Sequence, residues 1–218
     1  MNRKHDRRTF LAAAGALTLA TATRATAQTG GQTTRIDFEK AAYTGALTGA
    51  GGPVAWTLLD DLTAPSGRKV LAQTSTDKTD YRFPLAILDA PAAADVDVAV
   101  KFKPVAGEVD RAAGIAVRLM DRNNYYVVRA NALEDNVRLY RMVGGQRSQF
   151  AGAFAKVPSG QWQELRLKVE ASRFEVFLNG KSLYNATDAT FAAAGRMALW
   201  TKADSVTYFD DLVIKPLA

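Results

Sequence analysis

Residues 95–103 read DVDVAVKFK, with Val96, Val98, Val100 and Phe102 at every second position and Asp97, Ala99, Lys101 and Lys103 between them. Residues 163–170 repeat the device, Leu165, Leu167 and Val169 alternating with Glu164, Arg166, Lys168 and Glu170. A period of two marks a strand with one buried and one solvated face, the usual state of antiparallel sheet. Further strands are predicted at 35–38, 114–120, 125–131, 137–143, 173–178, 195–201 and 205–214, with weaker ones at 54–59, 70–73 and 82–87. The run through Phe174, Val176 and Leu178 ends on Asn179-Gly180, a strong hairpin turn, before residues 181–184 return. Amphipathic helical runs are scarce. No linker or charge block divides residues 35–218, so the pattern predicts one all-β domain built as a two-sheet antiparallel sandwich. Residues 28–34 (QTGGQTT) form a flexible lead-in.

The most informative stretch is 114–141. Ile115, Val117 and Leu119 alternate with Arg118, and Val137 and Leu139 alternate with Arg138. In the strand between, Tyr126, Val128 and Ala130 are expected to face the core, leaving Tyr125, Val127, Arg129 and Asn131 on the other side. Four-residue turns at 121–124 and 132–135 would set Met120 against Tyr125, Asn131 against Asn136, Arg118 against Val127 and Arg129 against Arg138. Like charges directly opposite one another disfavour a sheet by up to about 1 kcal/mol, so the pair asks for an anion or polar ligand. Two readings stand: a binding face, or solvated arginines splayed apart. A one-residue slip would turn any of these strands over.

Composition narrows the chemistry. The chain carries 28 basic and 22 acidic residues and one histidine, and it has no cysteine. A basic start with Asp6-Arg7-Arg8-Thr9-Phe10-Leu11 runs into an apolar segment to Ala22, and Ala25-Thr26-Ala27 offers a small-residue cleavage site. This resembles a twin-arginine signal peptide, residues 1–27, read by the twin-arginine export machinery. The apolar run is shorter than the roughly 20 residues that span a bilayer, so no stable membrane insertion is expected once it is removed. The expected localisation is periplasmic or secreted. Cleavage would leave 23 basic against 21 acidic residues, +2, and would take away His5. A near-neutral domain gives no ground for nucleic acid as a partner. Without His or Cys, Ser-His-Asp and Cys-His catalysis, zinc sites of the usual ligands and iron–sulfur clusters are excluded. A metal would be a hard ion held by oxygens, with calcium the natural candidate.

From about residue 95 onward the chain resembles the concanavalin A-like lectin/glucanase superfamily, and more narrowly the laminin-G-like and 3-keto-disaccharide hydrolase-like domains. The resemblance is carried by Gly160-Gln161-Trp162, by Phe177-Leu178-Asn179-Gly180-Lys181, by residues 195–202 (GRMALWTK) and by residues 208–214 (YFDDLVI), with residues 35–39 (RIDFE) as a first strand. It implies a jelly-roll sandwich whose concave sheet carries sugars, in binders and in glycan-cleaving relatives. It specifies fold better than function. The Glu-x-Asp-x-x-Glu motif of one glucanase family is nearest at residues 108–113, but Ala113 stands where the last Glu belongs and the setting reads as a loop. That mechanism is therefore not assigned, since glycoside hydrolysis normally needs two carboxyl groups.

The expected ligand contacts are Arg118, Tyr125, Arg129, Asn131, Arg138 and Tyr140, joined by Trp200 and Lys202 if Met197 and Leu199 point inward. Aromatic planes stack on sugar rings, while Arg and Asn donate to hydroxyl or carboxylate oxygens, which favours an acidic or oxidised sugar slightly over a neutral one. Trp200 reads equally well as core. Glu134, Asp135 and Asp204 are the carboxylates an enzyme would need, although turn-forming Asp is the ordinary role. The resemblance also implies that the terminal strands lie together, so Asp37, Glu39, Asp210 and Asp211 could hold a structural calcium; acidic residues guarding edge strands are the simpler account. Three functions follow: a carbohydrate-binding domain without turnover, a hydrolase or lyase on an oxidised glycoside, and a protein-interaction module of the cell envelope.

Overall fold

The computed structural model describes residues 31–40, 43–48 and 51–218. The export signal read at 1–27 lies outside the described residues. Among the described residues fifteen strands follow in order: β1 (Thr34–Ile36), β2 (Tyr43–Leu47), β3 (Trp56–Asp60), β4 (Lys69–Gln73), β5 (Leu85–Leu88), β6 (Val96–Ala106), β7 (Ala112–Asp121) and β8 (Asn124–Asn131). Then come β9 (Asn136–Val143), β10 (Gln146–Phe154), β11 (Gln163–Glu170), β12 (Arg173–Leu178), β13 (Lys181–Thr187), β14 (Arg196–Trp200) and β15 (Val206–Pro216).

They form two antiparallel sheets, β13-β12-β11-β6-β15-β4-β3 with β1 also on β15, and β10-β9-β8-β7-β14-β5-β2. The fold is the jelly-roll sandwich that the alternation and the resemblance predict. Val96, Val98, Val100 and Phe102 of β6, with Leu165, Leu167 and Val169 of β11, meet Ile115, Val117, Tyr126, Val128, Val137 and Leu139 of the other sheet in one buried core. At roughly 25 cal/mol per Å² of apolar surface removed from water, this interface is the main source of stability.

Besides the unpredicted edge strand β2, two features of the second sheet depart from the sequence reading. The first is a bulge in β7. Arg118 adopts φ 48°, and the β7–β8 register breaks between Val117 and Asp121. The extra residue turns Arg118 away from the face of Arg129 and carries Leu119 out of the core to the opposite side. Ala116, not Arg118, lies opposite Val127, and Asp121 pairs with Asn124, so the turn holds two residues instead of four. Gly195 of the neighbouring segment passes here; a Cβ on it would stand 2.5 Å from the Arg118 carbonyl carbon.

The second is an unpredicted strand, β10, at the edge of the sheet. Gly144 and Gly145, both at positive φ, connect it to β9 in a two-residue hairpin that pairs Val143 with Gln146. The outer face of this sheet also carries a second apolar cluster, including Phe83, Leu85, Tyr125, Val127, Tyr140, Met142 and Trp200.

Candidate functional site

Strand alternation carries Arg129 and Asn131 of β8 and Asn136, Arg138 and Tyr140 of β9 to the outer face of the seven-stranded sheet. The predicted pairings of Arg129 with Arg138 and of Asn131 with Asn136 are present. The like-charged pair is compensated from within the chain. Glu134, in the β8–β9 turn, reaches back so that Oε2 accepts from Arg129 Nη2 at 2.8 Å and from Asn136 Nδ2 at 2.8 Å, and lies 3.7 Å from Arg138 Nη2. Burial alone would raise the Glu134 carboxyl; the hydrogen bonds from Asn136 and Arg129 overrule it and hold it below the usual carboxylate range.

Beneath Arg129 lies Asp110, which is 1 % exposed. Its Oδ1 accepts from Asn131 Nδ2 at 2.7 Å, and its Oδ2 faces Lys202 Nζ at 3.0 Å and Arg129 Nη1 at 3.8 Å. Burial pushes this carboxyl upward against the pull of Arg129 and Lys202. Lys202 also donates to Asp80 at 2.5 Å. For Lys202 burial works downward, but its bond to Asp80 and the charge of Asp110 win, and its pKa is raised. Above Tyr140, the guanidinium of Arg147 from β10 lies 4.5 Å from the ring centroid, and that of Arg129 lies 5.5 Å away. Arg129 Nε and Arg147 Nη1 are buried without a hydrogen-bond partner.

The predicted contacts therefore separate. Arg129, Asn131, Arg138, Tyr140 and Lys202 belong to one constellation. Arg118 does not: it is 1 % exposed and clamps an end of the sandwich, donating to the carbonyls of Ala94 (2.8 Å), Phe191 (2.6 Å) and Ala171 (2.6 Å) and to Asp95 Oδ1 (3.2 Å). Tyr125 and Trp200 are on the expected face but fully buried, with Trp200 Nε1 donating to Tyr125 Oη at 3.3 Å and Phe83 stacked on Trp200 at 5.6 Å. Arg138, with a third of its side chain exposed, is the most open member of the predicted set.

Of the candidate carboxylates only Glu134 joins the arginines. Asp135 bonds Lys156 Nζ and the Val157 amide, and Asp204 accepts the amides of Glu108, Val109 and Asp110, fixing the loop that delivers Asp110. Three of the four carboxylates expected to hold calcium, those of Asp37, Glu39 and Asp210, accept hydrogen bonds from within the chain. Glu39 accepts the Arg68 and Lys69 amides, Asp210 accepts from Ser66 and the Asp211 amide, and Asp37 caps Glu39. Among the described residues no group of three or more carboxylate, His or Cys side chains could hold a metal ion.

Sequence reasoning missed Asp110, Asp80, Asn136 and Arg147. Asp110 sits in the near-match at 108–113, where attention to a three-carboxylate motif obscured one buried acid. Arg147 lies on the unpredicted β10, which Gly144-Gly145 after an apolar run could have disclosed.

No protein-family model matches the chain, and no curated protein matches it. Solved structures do resemble it in fold. The carbohydrate-binding module CBM66 of Bacillus subtilis is 20 % identical, with a TM-score of 0.61 over 79 % of this chain and 96 % of that one. Domain 4 of AbnA, a GH43 extracellular arabinanase from Geobacillus stearothermophilus solved with arabinotriose, is 16 % identical, with a TM-score of 0.52 over 81 % and 84 %. The β-glucanase of Bacillus licheniformis is 13 % identical, with a TM-score of 0.56 over 88 % of this chain and all of that one. At these identities the likeness establishes the jelly-roll fold alone.

Proposed function

We propose that this protein is an exported carbohydrate-binding sandwich that holds an acidic sugar on the outer face of its seven-stranded sheet. The observation that carries the reading is the polar constellation there: Arg129, Arg138, Arg147 and Lys202 face Asp80, Asp110 and Glu134, four cations against three carboxylates, with buried guanidinium donors left unpaired. Buried polar groups are nearly always satisfied, so unpaired donors beside an aromatic ring fit a hydroxyl- and carboxylate-bearing ligand. The neighbours named for carbohydrate binding support a glycan, and the twin-arginine-like start supports export to the periplasm or beyond.

Binding without turnover fits the carboxylates best. Asp110 is sealed beneath Arg129 and the exposed Asp80 is tied to Lys202, which leaves Glu134 as the one accessible carboxylate beside Arg129 and Arg138, whereas both stereochemical courses of glycoside hydrolysis ordinarily use two carboxyl groups. Hydrolysis or elimination is the second reading, favoured by the position of Glu134 beside Arg129 and Arg138. The test is a glycan panel presented to the protein without its first 27 residues, followed by product analysis. Retention of uronate-containing glycans without new reducing ends supports the proposal. Absence of binding to every glycan refutes it, and product formation establishes the hydrolytic or lytic reading.

A further inference from the structure

The open part of this face is at the sheet edge, where β9 meets β10, and it carries a feature the polar constellation does not explain. Phe154 is 86 % exposed, at the end of an edge strand. An apolar ring displayed on a sheet edge invites association and contributes nothing to the core, so the fold alone gives no reason for it. Its register partner is Asn136, that of Gly152 is Arg138, and that of Gln149 is Tyr140. These side chains share one face because a bulge between Gln149 and Ala151 restores alternation after Phe150 turns inward.

Together Asn136, Arg138, Gln149, Gly152 and Phe154 line a recess of about 130 Å³. Gly152 keeps it open: a Cβ there would stand 3.0 Å from Arg138 Cγ and 3.3 Å from Gln149 Nε2. Arg138 supplies the charge. Its nearest carboxylate oxygen, 3.7 Å away on Glu134, already takes two bonds of 2.8 Å from Arg129 and Asn136.

Resting on the glycan-binding reading, the geometry points to a subsite at the β9–β10 edge for one uronic acid residue, its ring on Phe154 and its carboxylate on Arg138. Gln149 then meets ring hydroxyls, and the missing side chain of Gly152 provides the room. Phe154, Gln149 and Gly152 are thereby specificity-determining residues, and the sugar enters from the sheet edge.

The test titrates wild type and variants by NMR with digalacturonate, cellobiouronate and a hyaluronan tetrasaccharide, each beside its carboxyl-reduced counterpart. Phe154→Ala and Gly152→Leu are each expected to weaken uronate binding about tenfold or more, by loss of aromatic contact and by filling the recess. Arg138→Gln is expected to abolish the preference for a uronate over its reduced form. Thermal melts identify any variant that fails to fold, and Phe154→Ala, which truncates an exposed ring, keeps the test decisive. Unchanged uronate affinity in Phe154→Ala overturns the subsite, and so does equal wild-type affinity for acidic and reduced sugars. Absence of wild-type binding to any of the six oligosaccharides overturns the uronate assignment; only a failure across the full glycan panel removes the underlying reading.

Discussion

Replacing Lys202 by Met tests whether the buried charges act as one unit. Its ammonium sits 3.0 Å from Asp110 Oδ2 and 2.5 Å from Asp80 Oδ1, with 10 % of the side chain exposed. Without it Asp110, 1 % exposed, keeps the Asn131 bond of 2.7 Å and Arg129 Nη1 at 3.8 Å, but loses its closest cation. Removing one partner of a buried ion pair costs about 3–5 kcal/mol, and the surviving Asn131 bond sets this case near the lower end. At about 2–4 °C per kcal/mol for a domain of this size, Tm should fall by roughly 6–12 °C. Asp110→Asn should cost only about 1–2 kcal/mol, because Lys202 retains Asp80. In the double variant no charge is stranded, and the new amide oxygen still accepts from Asn131. It should therefore be more stable than Lys202→Met alone, with a coupling energy of about 1.5 kcal/mol or more. Urea unfolding at neutral pH measures all four proteins. Additivity of the two single losses to within about 0.5 kcal/mol would refute the network.

Asp188 gives a pH prediction. Burial opposes its ionisation, but bonds from Thr190, Tyr126 and Arg141 outweigh that and take its pKa from 3.8 to about 2. A depressed carboxyl contributes stability that is present above about pH 4 and lost as pH falls toward 2, here about 2 kcal/mol. Asp188→Asn should lose that amount at pH 6 and flatten the acid limb of a stability–pH curve; an unchanged limb would contradict it. Arg118→Met should cost about 3 kcal/mol or more through its lost carbonyl contacts, yet leave glycan affinity of the folded protein unchanged, as titration calorimetry would show. Calcium or a chelator should move Tm by less than about 1 °C. A rise of several degrees with calcium would restore the terminal-strand site.

The core was legible because period-two alternation is a local signal, and residues 96–102, 126–130 and 165–169 obey it. The candidate site was legible where alternation held unbroken, in β8 and β9. It failed at Arg118, where a single left-handed residue inverts the next positions; nothing in Val117-Arg118-Leu119 announces that a non-glycine residue will adopt φ 48°. The burial of Tyr125 and Trp200 was hidden for a different reason. Alternation states which face a residue occupies, whereas burial depends on what lies above it, here Phe83 from the β4–β5 connection and Arg147 from β10. Asp110 escaped because its significance comes from Asn131, Arg129 and Lys202, which are distant in sequence.

Opposed arginines on adjacent strands asked for an anion, and the chain answers part of that demand itself. Glu134 pairs closely with Arg129 at 2.8 Å and only weakly with Arg138 at 3.7 Å. The unmet part falls on Arg138, the arginine at the open recess. Glu134 therefore competes with an acidic ligand for Arg138 instead of assisting it. Glu134→Gln keeps an oxygen for the bonds from Arg129 and Asn136 but removes the competing charge, so affinity for a uronate should rise. A partly exposed pair of this separation is worth at most about 1 kcal/mol, which sets the gain at up to about fivefold, shrinking with added salt. Should Glu134 instead accept from a sugar hydroxyl or move a proton, the same substitution would weaken binding or abolish product formation. The sign of one titration thus separates a carboxylate that tunes a binding arginine from one that works on the sugar.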